Sequence, residues 1–106
     1  MITVTVMYPK TENSRFDFDY YVQTHAALVR EKFGPFGLKD VRLMKGAALL
    51  DGSKPQFEVI ANLTFASMQD LQGALQAHGQ EIIADIAKFT DIQPVIQVNE
   101  ALQPNA

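Results

Sequence analysis

The chain carries two histidines, His25 and His78, and no cysteine. Without cysteine there is no disulfide, no thiolate metal site and no thiol nucleophile. Histidine is then the side chain whose ordinary pKa, near ~6.5, suits proton transfer at neutral pH. His25 falls in the series Phe18, Val22, His25, Val29 and Lys32/Phe33, which follows the rhythm of one helical face. Tyr21 and Val22 lie one turn before it, and Leu28 and Val29 one turn after. A histidine on such a face points into the space between helix and sheet. Burial there disfavours the imidazolium, so the ring stays neutral and can act as a base. Tyr21, on the same side, can donate a hydrogen bond to a carbonyl or an enolate. Tyr20 points roughly 140° away from His25 at about 100° per residue and ranks lower. The plainer alternative is that both His25 and Tyr21 only fill the core.

The second histidine has two readings. If Gly79 ends its helix, His78 caps the negative end of the dipole. Otherwise it lines the same pocket as His25 and contacts the substrate. Asp91 is either a carboxylate of a turn leading into a strand or a substrate contact. Tyr8, Phe18 and Phe89, among nine aromatic positions, could shape an apolar binding cavity, or could be core filling. No local histidine pair of the H-x-x-x-H kind exists, so no metal is expected. G-x-G-x-x-G and P-loop patterns are missing as well, so no nucleotide cofactor is expected.

The elements that must position these residues alternate in a simple order. Ile2 to Tyr8 reads as a strand with Ile2, Val4, Val6 and Tyr8 on one face, closed by Pro9. Phe16 to Phe33 reads as a helix, with Ser14 and Asp17 resembling a capping box and Gly34-Pro35 as the stop. A second strand lies within Leu38 to Leu50, and Asp51 to Pro55 is a turn. Phe57 to Phe65 is the clearest strand, with its odd-numbered residues on one face. Ser67 caps a second helix whose stripe is Met68, Leu71, Leu75, His78, Ile82 and Ile86. Thr90 to Asn99 is the last strand, interrupted by Pro94.

That order, β-α-β-β-α-β, predicts an α+β, ferredoxin-like fold: a four-stranded antiparallel sheet with both helices on one face. The opposite face, lined by Met7, Ile60 and residues of the last strand, is too apolar to stay wet. A second copy of the chain would cover it, which predicts a homodimer through sheet-on-sheet packing.

Length and charge agree with this picture. A chain of 106 residues suits one domain with a real core. A net charge of −3 lacks the basic excess of a duplex-binding protein, so no nucleic-acid partner is expected. No segment reads as a signal peptide or a membrane span, which predicts a cytoplasmic protein without a membrane partner.

Several motifs in sequence order resemble the ethyl tert-butyl ether degradation (EthD) family. These are Tyr8-Pro9, the run from Arg15 to Tyr21, His25 with Leu28, and the tail His78, Glu81-Ile82, Asp85-Ile86, Phe89 to Ile92 and Pro94 to Gln97. Lys88 departs from the proline or small polar residue often found before Phe-Thr-Asp. The resemblance covers Val4 to about Glu100 and implies one EthD-like domain over residues 1–106, of the dimeric α/β barrel type. It places His25 in a family motif. It implies oxidoreductase-type or proton-transfer chemistry on a small apolar or phenolic molecule, in catabolism or secondary metabolism. The expected catalytic residues are His25 and Tyr21, and the expected substrate contacts are Tyr8, Phe18, His78, Phe89 and Asp91. No cofactor is expected, although related barrels leave haem with His25 as axial ligand open. A non-catalytic binding protein, or an accessory to a partner oxygenase, is the alternative.

Overall fold

In a computed structural model, residues 1–103 are described. The strands are β1 (Ile2–Pro9), β2 (Leu38–Lys45), β3 (Phe57–Phe65) and β4 (Val95–Glu100). They form one antiparallel sheet in the order β2-β3-β1-β4. Two helices cross between them, each returning the chain to a non-adjacent strand, and both pack on one face. This is the ferredoxin-like α+β fold, the protomer architecture of the dimeric α/β barrel class.

Strand alternation produces the core. Ile2, Val4 and Tyr8 of β1 and Val59, Ala61, Leu63 and Phe65 of β3 are buried under the helices. Val29, Phe33, Leu71, Ala74 and Ile82 descend on them from above. A second cluster gathers Tyr8, Tyr21, Val59, Phe89 and Ile92 at the other end of the sheet.

The first helix is a composite. It starts at Phe18, where the Asp17 carboxylate accepts the Tyr20 backbone N–H at 3.1 Å. Asp17 is therefore the cap in place of Ser14, whose hydroxyl instead donates to the Thr11 carbonyl. Tyr21–His25 forms a π-helical turn, with the Ala26 N–H bonded to the Tyr21 carbonyl, and Ala26–Phe33 is regular α-helix. The wide turn shifts the phase of the buried stripe. Tyr21, His25, Ala26, Val29 and Phe33 point inward, while Val22 is exposed. The chain leaves through Gly37, whose φ of +94° and close approach to Asp70 leave no room for a Cβ.

The second helix, Met68–Asp85, begins with Ser67 Oγ accepting the Asp70 N–H at 3.1 Å. It runs through Gly79 without a break, and that residue is buried. Its inward stripe is Leu71, Ala74, Gly79, Ile82 and Asp85, so Leu75 sits on the flank and is exposed. The segment 90–94 is irregular. Thr90 makes a lone bridge to Phe16, and β4 starts only after Pro94, which cannot donate to the ladder.

The uncovered sheet face is more polar than the sequence led us to expect. At its centre Thr5 donates to Asn62, Asn99 donates to Thr5, and Gln97 donates to Asn99, at 2.7, 2.8 and 2.7 Å. The apolar share is confined to one end, where Met7 pairs with Ile60 and Val95, and Ile60 with Met44. No helix among the described residues is long and apolar enough to cross a membrane.

Candidate active site

Between the helices and the sheet lies a cavity of about 90 Å³. Val4, Val6, Val29, Leu43, Ala61 and Ile82 contribute apolar wall, and Tyr8, Tyr21 and His25 are the lining residues with polar side chains. Leu75, Ile83 and Ile96, each about half exposed, mark where it approaches solvent between the second helix and β4.

His25 is 6% exposed, and its Nδ1 is 2.8 Å from Asp85 Oδ2. The other Asp85 oxygen accepts the Tyr20 hydroxyl at 2.8 Å and lies 3.7 Å from Lys88 Nζ. Burial lowers the His25 pKa, and the neighbouring carboxylate only partly offsets this. Burial alone would raise the Asp85 pKa. Hydrogen bonds from His25 and Tyr20, with the charge of Lys88, outweigh it and hold the carboxyl below its ordinary value. Both shifts describe one state, a neutral imidazole beside a carboxylate. The hydrogen bond to Asp85 fixes the Nδ1–H tautomer and leaves the lone pair on Nε2. Nε2 has no hydrogen-bond partner among the described residues, yet it is not sealed off from solvent-sized space.

The aromatic cluster holds this pair in place. The Tyr21 ring lies nearly parallel to His25, with centroids 5.8 Å apart. Phe89, fully buried, backs both, at 4.7 Å from His25 and 4.9 Å from Tyr21. Tyr8 stands edge-on to Tyr21 and Phe89. Burial pushes the Tyr8 and Tyr21 phenols above their usual range, so both remain protonated donors.

The structure thus brings His25, Tyr21 and Tyr8 together on the cavity, while Phe89, an expected substrate contact, is fully buried behind them and does not line it. The other three expected contacts lie farther off. Phe18 packs on Phe16 at the outer edge of the cluster and lies beneath Lys45 Nζ at 4.4 Å, lining a surface cleft. His78 sits on the flank of its helix, bonded to Glu81 and edge-on to Phe36, because the inward stripe passes through Gly79. It neither caps a helix end nor reaches the cavity. Asp91 accepts the Arg15 N–H at 2.9 Å and borders a separate shallow cleft. Two residues of the site were missed or ranked low in the sequence. Asp85 repeats the phase of Leu71, Ala74 and Ile82, so an acid on the buried stripe was visible in principle. Tyr20 reaches the same acid because the π turn replaces the regular pitch assumed for it. Among the described residues no group of three acidic, histidine or cysteine side chains is placed to hold a metal.

Fold and site together define a small ferredoxin-like α+β domain with a histidine-bearing cavity between sheet and helices. The chain belongs to the EthD family: the EthD domain profile matches residues 10–93. An EthD-like protein from Ralstonia eutropha JMP134 is 35% identical, with 99% of this chain and 96% of that one covered and a TM-score of 0.86. An ethyl tert-butyl ether degradation family protein from Bacillus halodurans C-125 is 22% identical, with coverage of 96% and 99% and a TM-score of 0.68. SnoaB, a cofactor-independent oxygenase from Streptomyces nogalater, is 12% identical, with coverage of 96% and 92% and a TM-score of 0.64, and shares the fold. No curated protein is significantly similar to this chain.

Proposed function

We propose that this protein binds a small, largely apolar cyclic or aromatic molecule in the cavity and moves a proton on it through His25. One observation carries this reading: a neutral imidazole, its Nδ1 committed to the Asp85 carboxylate, is set in the wall of an otherwise apolar cavity. Nε2 is then the free base. A proton arriving there makes an imidazolium that Asp85 stabilises, and a general base of this kind contributes about 10²–10⁴-fold. The surrounding hydrocarbon strengthens each polar contact the guest makes. Tyr21 is the polar anchor and Tyr8 a substrate contact. His78, Phe18 and Asp91 have no part in this reading.

The same proposal includes a cytoplasmic homodimer joined through the uncovered sheet face, where Met7, Met44, Ile60 and Val95 supply the apolar contact. A carrier or accessory role for a partner oxygenase shares the cavity but lacks the proton transfer.

The test uses a panel of small aromatic and ether compounds in D₂O. Binding is read from the NMR signals of the His25 and Tyr21 rings, and proton transfer from deuterium gained by the probe. The expected result is binding at His25 with deuterium uptake, and uptake lost in His25→Gln while binding persists. Binding at His25 with no exchange and no oxygen consumption would establish the carrier role. Binding confined to another surface would end the proposal.

A further inference from the structure

Two of the three tyrosines carry hydroxyls that the protein leaves unused. The Tyr20 hydroxyl bonds to Asp85. Tyr8 and Tyr21 are 1% and 3% exposed, and both line the cavity. Neither hydroxyl has a hydrogen-bond partner among the described residues, yet neither is shut off from solvent-sized space. The cavity is the space that both residues line. A hydroxyl in such a place calls for a partner from the solvent or a guest, and phenylalanine would fill the same volume without that need. The chain does place phenylalanine at the neighbouring positions Phe16, Phe33, Phe65 and Phe89. Tyrosine at 8 and 21 thus adds nothing to the apolar packing that phenylalanine would not, and supplies two donors to whatever enters. The two rings meet edge to face with centroids 6.0 Å apart, and both stand on the one cavity of about 90 Å³.

We propose that Tyr8 and Tyr21 together hold a single oxygen of the guest, and that the guest is a small cyclic ketone whose α-carbon faces His25. A carbonyl oxygen has two lone pairs, one for each phenol. In the step this allows, the α C–H bond breaks and a bond from hydrogen to Nε2 forms. The electron pair becomes the C=C bond of an enolate, whose charge settles on the oxygen between the two phenols. Returning the proton to the same or another carbon completes an exchange or an isomerisation, and no oxidant enters. The inference rests on the cavity being a guest site.

Cyclopentanone and methylenecyclopentane have nearly the same shape, and only the first carries an oxygen. Each is titrated into the wild-type protein and into Tyr8→Phe and Tyr21→Phe, with the His25 ring signals as readout. Neither hydroxyl has a protein partner, so both variants should unfold at or above the wild-type temperature, which thermal melts verify. Each variant is expected to weaken cyclopentanone roughly 3- to 10-fold and to leave methylenecyclopentane within about twofold. Equal effects on both probes, or none on either, would overturn the oxygen site while leaving the guest site intact. Failure of both probes to bind the wild-type protein would overturn both.

Discussion

Asp85 takes hydrogen bonds from two side chains of the first helix and sits beside a lysine of its own, so its removal should be felt twice. Asp85→Ala leaves the buried Nδ1–H without a partner and should cost about 2–3 kcal/mol in urea unfolding. Asp85→Asn keeps the volume but offers His25 an amide, and the Nδ1–H tautomer should be lost in the ¹⁵N signals of the ring. The pH dependence of stability follows from the same pair. His25 and Asp85 are both depressed in the folded state, so the unfolded chain takes up each proton first. Stability is full above the ordinary histidine value of 6.5 and falls as pH drops below it, with a second fall below the ordinary aspartate value of 3.8. Thermal midpoints measured from pH 8 to pH 3 should decline accordingly, and His25→Gln should flatten the first part. A midpoint that rises on moving from pH 8 to pH 5 would mean that Asp85 holds His25 as an imidazolium. At this scale the sequence revealed His25 and Tyr21, because their types and spacing are local. It concealed that Asp85 is their partner, because the contact joins two helices 60 residues apart.

At the scale of elements, the strands were legible from alternation alone, and the helix faces only approximately. A regular pitch put Val22 inward and Tyr20 outward, and one π turn reverses both. Nothing in Tyr21–His25 announces that turn by composition. It shows only in the fold, where Tyr21 and His25 at its two ends both pack against Phe89. Gly79 misled for a related reason: it looks like a helix stop but lies inside the second helix, bordering the cavity. A Cβ there would meet only Leu75, at 3.6 Å. Gly79→Ala should therefore raise stability by about 0.5–1 kcal/mol in thermal or urea unfolding. On the proposal made above, the same methyl should also narrow the cavity and weaken cyclopentanone in the titration.

At the scale of the whole molecule, the topology followed from element order, because right-handed crossovers leave few ways to arrange two βαβ units. The character of the open face did not follow as easily. Its apolar end was visible in Met7 and Ile60, but the polar seam through Thr5, Asn62 and Asn99 arises only once β1, β3 and β4 are in register. In the proposed dimer the apolar end carries the affinity. Ile60→Lys should convert the dimer into a folded monomer in sedimentation, whereas Asn62→Ala should shift the association far less.

The π turn of the first helix has a consequence for how this molecule could change over time. Tyr20 and His25 grip the same acid although they lie five positions apart, a spacing that only the loosened winding accommodates. Loss of a single codon from the exposed stretch at Gln23 or Thr24 would restore an ordinary helix. Such a lineage would set the tyrosine and the histidine four positions apart on one face, so the acid would keep both partners without the wide turn.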